Sequence, residues 1–132
     1  MPVKIVIADG HATVRRSLRL LIAGEPDMEL LGEATDGLEA LQTVRALQPD
    51  LLLMDIKMRR MSGLKVLQYL RSEKHPVAVV FFSSSSETPY VDAAMRLGAD
   101  AFVAKASGLD VLLAAIHAVR DGKRPIDPNT PL

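Results

Sequence analysis

Short apolar runs alternate five times along the chain with longer segments in which apolar residues recur every three or four positions. Runs of this length predict β-strands, and segments with that period predict amphipathic α-helices. Each run is followed by one periodic segment, so the pattern indicates five consecutive β–α units. The predicted strands are Val3–Ala8, Met28–Ala34, Leu51–Met54, Val77–Phe82 and Ala101–Ala104.

Capping signals mark the starts of three predicted helices. Asp36 precedes the second helix as an N-cap, and Thr88 with Pro89 supplies an N-cap and a first-turn proline for the fourth helix. Ser107 and Asp110 resemble a capping box at the start of the fifth helix. These residues predict where each helix begins.

Several of the predicted strands are apolar along their whole length rather than at alternate positions. Such strands are buried on both faces, which requires a parallel sheet covered by helices on both sides. The alternation of strands and helices implies right-handed crossovers. We therefore predict an α/β fold, a (βα)5 doubly wound domain built on a five-stranded parallel sheet.

Composition excludes several classes of protein. The 132 residues include 16 acidic and 16 basic side chains, whereas a domain that itself binds nucleic acid usually has a basic excess. There is no cysteine, which excludes disulfides, thiol catalysis and cysteine-ligated zinc. The apolar stretch near the amino terminus is too short for a signal peptide or a membrane span, so we expect a cytoplasmic protein with no membrane partner.

A single domain accounts for most of this length. After the fifth helix the composition changes, and Pro125, Pro128 and Pro131 prevent a continued helix. We therefore predict a domain at residues 1–122 and a proline-rich linker or C-terminal tail at residues 123–132.

Polar residues follow the ends of four predicted strands. They are Asp9, which is followed by Gly10, then Asp55, Ser83 and Lys105. In a doubly wound sheet the functional site lies beyond the carboxyl ends of the strands. Asp55 could attack a phosphoryl group and form an acyl phosphate, a reaction that needs positioning and charge neutralisation. Asp9 could help to hold Mg²⁺, Lys105 could pair with the phosphoryl group, and Ser83 could donate a hydrogen bond.

Four segments resemble the signature stretches of receiver domains from bacterial response regulators. They are VKIVIADGHATVRRSLRLLI, DLLLMDIKMRRMSGLKVLQYLR, VAVVFFSSSS and GADAFVAKAS, and the resemblance covers residues 3–122. Its specificity lies in the combination of residues at the strand ends and in the M-x-x-M-x-G shape after Asp55. The stretch IADGHATVRRSLRLLI is similar to the subfamily that carries a LuxR-type helix-turn-helix output domain. The resemblance implies the flavodoxin-like topology of receivers.

The resemblance also implies roles for the polar residues. Asp55 would accept a phosphoryl group from a histidine kinase or a small phosphodonor, and Ser83 and Lys105 would contact its oxygens. Asp9 and Asp55, with the backbone carbonyl of Lys57, would hold Mg²⁺. The chain would have no enzymatic activity beyond this transfer to its own carboxylate.

Signalling in the family implies further expectations. Phe102 occupies the aromatic switch position, where the ring moves inward as the hydroxyl of Ser83 is drawn toward the phosphate. The expected partners are a histidine kinase and a second copy in a homodimer. The domain itself would bind no nucleic acid, and DNA would be reached through a separate output domain.

Two positions depart from the family pattern. Gly10 stands where the family has a second acidic residue that usually contacts magnesium directly, which predicts a weakened Mg²⁺ site. Arg59 stands where the family usually has proline, and its guanidinium could partly neutralise Asp9 and Asp55 in place of the metal ion. Both departures leave open a second interpretation, a pseudo-receiver that acts as a phosphorylation-independent interaction or dimerisation module.

Other functional classes fit the sequence poorly. A phosphatase with an aspartyl nucleophile needs a second aspartate two residues later, where this chain has Lys57. A flavin-binding protein needs a hydroxyl-rich loop after the first strand, where only Thr13 is available. The histidines show no spacing typical of a metal site or a triad, and we interpret all three as surface or packing residues: His11, His75 and His117.

Overall fold

The computed structural model describes residues 1–127, in which five strands and five α-helices alternate. The predicted order of elements is confirmed. The strands are β1 (Val3–Ala8), β2 (Met28–Ala34), β3 (Leu51–Met54), β4 (Ala78–Ser83) and β5 (Ala101–Ala104). The helices are α1 (Ala12–Ala23), α2 (Gly37–Leu47), α3 (Gly63–Ser72), α4 (Thr88–Arg96) and α5 (Leu109–Arg120). A short 3-10 turn, Lys105–Ser107, lies between β5 and α5.

All five strands lie in one parallel sheet, in the order β2–β1–β3–β4–β5. The chain adds β2 on one side of β1 and then adds β3 on the other, so the direction of growth reverses at this point. The loops that leave neighbouring strands diverge at such a reversal and leave a crevice at the carboxyl ends. Ala8 pairs with Met54 in this register, so Asp9 and Asp55 leave the sheet side by side. The predicted doubly wound fold is confirmed.

The two faces of the sheet form separate apolar layers. Along β1, Ile5 and Ile7 belong to the layer that packs against α1 and α5. Val6 and Ala8 belong to the layer that packs against α2, α3 and α4. Because alternate residues of a strand point to opposite faces, a strand covered on both sides must be apolar at successive positions.

The helix starts follow the sequence signals only in part. Asp36 caps α2 as predicted, and its side chain accepts a hydrogen bond of 2.8 Å from a backbone amide in the first turn. Helix α4 includes Thr88 and has Glu87 as its N-cap, so it begins one residue earlier than predicted. The predicted cap at Ser107 is wrong, because the N-cap of α5 is Gly108 with a φ of 90°. Glycine adopts this backbone conformation readily, so the chain turns there after the 3-10 turn.

The last described residues lie beside the sheet. Helix α5 ends at Arg120, and Ile126 forms a parallel bridge with Phe102 of β5. The boundary at residue 122 stays a prediction, and residues 128–132 of the predicted tail lie outside the described residues. Within residues 1–127 no helix is both long enough and apolar enough to cross a membrane.

Gly63 allows α3 to begin directly against the end of β3. Its amide donates a hydrogen bond of 2.7 Å to the carbonyl of Ile56. A Cβ atom at this position would lie 2.2 Å from the carbonyl oxygen of Asp55 and 3.0 Å from the ring of Phe81. Gly63 therefore sets the close packing of α3 against the strand that presents Asp55.

We expect Gly63→Ala to lower the free energy of unfolding by about 2 kcal/mol, because the added methyl group forces α3 away from β3. Gly24→Ala is the matched control, since the nearest atom to its Cβ would lie 3.6 Å away. Its effect should stay within about 0.5 kcal/mol. Urea denaturation followed by circular dichroism measures both values, and equal effects would contradict the packing described for Gly63.

Candidate functional site

Three charged side chains meet at the carboxyl ends of β1, β3 and β5. The ammonium group of Lys105 lies 2.9 Å from Oδ2 of Asp9 and 2.9 Å from Oδ2 of Asp55. Both aspartates are only 1% exposed. One cation therefore lies between two buried carboxylates, so three of the strand-end residues predicted to act together, Asp9, Asp55 and Lys105, are in direct contact.

Backbone amides fix the orientation of both carboxylates. Oδ1 of Asp55 accepts a hydrogen bond of 2.7 Å from the amide of Ile56. Oδ1 of Asp9 accepts one of 2.8 Å from the amide of His11. In each residue Oδ1 is held by the backbone, and Oδ2 is left to face Lys105.

The carboxylates also determine the charge of the lysine. Burial acts to lower the pKa of Lys105, but hydrogen bonds to Asp9 and Asp55 outweigh this effect and raise the pKa above its ordinary value. Lys105 is therefore a stable cation at neutral pH. It offsets one of the two negative charges, and the pocket keeps a net negative charge that favours a further cation.

His11 belongs to this site, although the sequence indicated a surface or packing role. Its Nδ1 lies 2.8 Å from Oδ1 of Asp9 and 3.9 Å from Oδ2 of Asp55. The ring is 62% exposed, so it borders the pocket on the solvent side. Its position two residues after Asp9, at the N-cap of α1, is the signal that could have identified it.

Ser83 is fully buried as the last residue of β4 and pairs in register with Ala104, which directly precedes Lys105. Its Oγ accepts a hydrogen bond of 3.0 Å from the amide of Ser85. The hydroxyl therefore belongs to the same edge of the sheet as Lys105. Ser84, the next residue, is exposed.

Phe102 lies in β5 and is fully buried. Its ring centroid is 6.1 Å from that of Phe81, and the two rings are tilted by 41°. The ring therefore already occupies an inward position. Its role as a moving switch stays a prediction.

An open cleft of about 830 Å³ lies among the loops that follow β1, β2 and β3, and its lining includes Gly10, which directly follows Asp9, and Lys57, two residues after Asp55. Arg59 lines this cleft and is exposed. Within residues 1–127 the ion pairs of Asp9 and Asp55 are made with Lys105 and His11, so Arg59 does not supply the neutralising cation in this structure. The full lining is Gly10, His11, Thr35, Asp36, Lys57, Met58, Arg59, Arg60 and Ser62.

The sequence of the chain matches a known protein family over most of its length. The family model described as the response regulator receiver domain matches residues 5–117. The chain belongs to this receiver family. The resemblance inferred from the four sequence segments is confirmed.

Relatives of this receiver domain include transcription regulators of the NarL and LuxR type, as the narrower resemblance indicated. The nitrate/nitrite response regulator protein NarL of Escherichia coli (strain K12) is 34% identical over 122 residues, which cover 92% of this chain and 56% of that protein. This chain thus spans about half the length of the curated relatives that it matches.

Solved receiver structures superpose closely on this one. The signal receiver domain of the response regulator NarL from Mycobacterium tuberculosis has a TM-score of 0.88 at 30% identity, covering 92% of this chain and 98% of that one. A LuxR-family two-component response regulator from Aurantimonas sp. SI85-9A1 has a TM-score of 0.92 at 27% identity, covering 98% of this chain and 92% of that one. The receiver fold is shared along nearly the whole chain.

Gly10 leaves room in this receiver domain for the side chain that the family pattern has there. A Cβ atom at Gly10 would have one near neighbour, the carbonyl oxygen of Thr35 at 3.5 Å, which is an ordinary contact. Gly10 also lines the cleft. The departure therefore removes a carboxylate without closing the space that it would occupy.

We expect Lys105→Ala to lower the free energy of unfolding by about 3 kcal/mol, because two buried carboxylates lose their ammonium partner. Adding Asp9→Asn should recover part of this loss, since it removes one of the two negative charges. Urea denaturation of both single variants and the double variant at neutral pH measures the coupling. Effects that add without coupling would contradict the interaction described here.

Proposed function

We propose that this receiver domain is a phosphorylation-dependent signalling switch that accepts a phosphoryl group on Asp55 from a histidine kinase. The observation that carries the proposal is the contact of the Lys105 ammonium with Asp55 and Asp9 at the crevice of the sheet. Phosphoryl transfer needs a positioned nucleophile and nearby positive charge rather than elaborate covalent chemistry. The site offers both.

Each residue of the site has a different role in the transfer of the phosphoryl group. A carboxylate oxygen of Asp55 attacks phosphorus, the bond from phosphorus to the donor breaks, and the donor leaves with its electron pair. Lys105 stays beside the new acyl phosphate and pairs with its oxygens. Ser83 donates a hydrogen bond to one of them, and its hydroxyl shifts toward the phosphoryl group. The ring of Phe102 responds to this shift of the Ser83 hydroxyl. The only catalysis is this transfer to the domain's own carboxylate.

The residues around the cleft fit a weak Mg²⁺ site. Ligand atoms of Asp9, His11 and Asp55 lie within 4.8 Å of one another, and Lys57 lines the same cleft. Mg²⁺ prefers oxygen ligands and keeps several of its waters. Asp55 and the backbone carbonyl of Lys57 would hold the ion directly, and Asp9 would act through water. A bound ion would offset the charge of the phosphoryl oxygens.

The relatives support the wider setting of the proposal. They include response regulators in which the matched residues cover only 56% and 59% of the protein, which leaves room for an output domain. We propose a cytoplasmic protein whose partners are a histidine kinase and a second copy of the receiver. Any contact with DNA would come from an output domain and not from this one.

A phosphorylation-independent pseudo-receiver is the second candidate. Lys105 already offsets part of the charge of Asp9 and Asp55, and Gly10 removes a metal ligand, so the pocket depends less on a bound ion for charge neutralisation. The two candidates differ in whether a phosphoryl mimic binds, which the next experiment measures.

Beryllofluoride with Mg²⁺ should bind at Asp55 and shift the amide resonances of Ser83, Phe102 and Lys105, because the mimic places new charge beside the lysine. Two-dimensional NMR of the labelled protein measures these shifts. Asp55→Asn removes the carboxylate that binds the mimic, and the shifts should vanish in this variant. A folded wild-type protein that does not respond at high magnesium would instead support the pseudo-receiver.

Gly10→Asp should strengthen Mg²⁺ binding by about tenfold, because it restores a carboxylate to the open side of the cleft and ligand charge sets the affinity of such sites. Gly10→Asn is the matched control, since it has the same shape without the charge. A magnesium titration followed by NMR or calorimetry gives the affinities. A gain of equal size in Gly10→Asn would rule out a direct carboxylate ligand at this position.

A further inference from the structure

The ring of His11 brings a nitrogen donor to the pocket formed by the carboxylates of Asp9 and Asp55. Its Nδ1 lies 2.8 Å from Oδ1 of Asp9 and 3.9 Å from Oδ2 of Asp55. Ligand atoms of the three side chains all lie within 4.8 Å of one another. The three side chains therefore form a group small enough for one metal ion to contact all of them.

The separations of these atoms fit a single metal centre. Two ligands bound to one ion at about 2.1 Å, with about 90 to 110° between the bonds, lie about 3.0 to 3.5 Å apart. The two distances from Nδ1 of His11, 2.8 and 3.9 Å, lie on either side of this range. The ring is 62% exposed, so a small rotation can place Nδ1 at coordinating distance from a centre that both carboxylates also reach.

The charges and the open side of the pocket favour a cation beside His11. Asp9 and Asp55 carry two negative charges, and the ammonium of Lys105, 2.9 Å from Oδ2 of each, offsets one of them. A carboxylate oxygen has two lone pairs, so Oδ2 of Asp55 can contact Lys105 and an ion at the same time. His11 and Gly10 both line the open cleft, which leaves room for the ion and its waters.

Gly10 and His11 together determine which kind of ion suits this pocket. Mg²⁺ takes oxygen ligands in near-ideal octahedral geometry, and carboxylates serve it well. Imidazole nitrogen instead suits Zn²⁺, Fe²⁺ and Ni²⁺, and the affinity of a given site rises along most of the first transition series. Gly10 removes a carboxylate that would serve Mg²⁺, and His11 supplies a nitrogen that serves a transition metal. Both features favour a transition-metal ion over Mg²⁺.

We propose that Asp9, His11 and Asp55 bind a divalent transition-metal ion of the zinc type in preference to Mg²⁺, with Nδ1 of His11 as a direct ligand. This inference deepens the proposed function, on which it rests for the role of the ion beside the phosphoryl group. On binding, Nδ1 gives up its contact with Asp9, and a proton that it carries passes to solvent. Three side-chain ligands leave a position open for water or a phosphoryl oxygen, as in catalytic zinc sites.

Affinities for Co²⁺ and Mg²⁺ separate the contribution of His11 from that of the carboxylates. Co²⁺ is the probe because it takes the same ligands as Zn²⁺ and is paramagnetic. In calorimetric titrations the wild type should bind Co²⁺ about tenfold or more tightly than Mg²⁺. His11→Ala should weaken Co²⁺ binding about tenfold and change Mg²⁺ binding by less than about twofold, because it removes the nitrogen and keeps both carboxylates. Asp55→Asn should weaken the binding of both ions.

The matched control is His117→Ala. It removes an imidazole from the other group of potential ligands within residues 1–127, which is Glu25, Asp27 and His117. Asp27 directly precedes β2, so this group lies at the amino ends of the strands, away from Asp55. NMR of the Co²⁺-loaded protein distinguishes the two groups, because the protons of a Co²⁺-bound imidazole resonate far outside their ordinary range. The shifted resonances of His11 should appear in the wild type and in His117→Ala and should be absent from His11→Ala.

Equal Co²⁺ affinities in the wild type and His11→Ala, or a Co²⁺-loaded wild type without shifted resonances of His11, would overturn the inference. Beryllofluoride with Mg²⁺ tests the proposed function separately. If that mimic binds and His11→Ala has no effect on Co²⁺, the function stands and the inference fails. If His11 binds Co²⁺ but the mimic binds with neither ion, the metal site stands and the phosphorylation switch fails.

Discussion

The contact of Lys105 with Asp9 and Asp55 is the interaction on which the rest of the site depends. Two carboxylates that leave adjacent strands and are each 1% exposed repel one another unless a cation lies between them. Lys105 can supply that cation because β5 runs parallel to β1 and β3 and ends at the same edge of the sheet. The strand order therefore determines both where the crevice forms and how the charges of the carboxylates are balanced.

Two glycines control the space on either side of these charges. Gly63 brings α3 against the carbonyl of Asp55, where any side chain would clash. Gly10 has the opposite effect, since its missing side chain widens the cleft beside Asp9. Asp55 is consequently packed closely on the side of the helix, and the open space lies on the side of Gly10.

The fold and the meeting of Asp9, Asp55 and Lys105 could be predicted because short, uninterrupted apolar runs stop abruptly at polar residues. Parallel topology then brings those strand ends to one edge. Apolar periodicity does not indicate the contact of His11 with Asp9. Its sequence signal is its position two residues after Asp9, because the extended backbone at the start of α1 places the ring beside that carboxylate. The pairing of residues 125–127 with β5 could not be predicted from the sequence either. Three residues are too few to show an apolar periodicity, and the prolines favour a linker there.

The two outer strands of the sheet are shielded from other chains by different means. Strand β2 carries Glu29 and Glu33, and charged side chains discourage the addition of a foreign strand. Strand β5 is buried at every position and has no charge of its own, so its shield is the backbone of residues 125–127. A fragment that stopped before Pro125 would present bare amides and carbonyls beside apolar side chains, which is a template for aggregation. The stretch after α5 thus contributes to the colloidal stability of the domain, whatever signal the domain transmits.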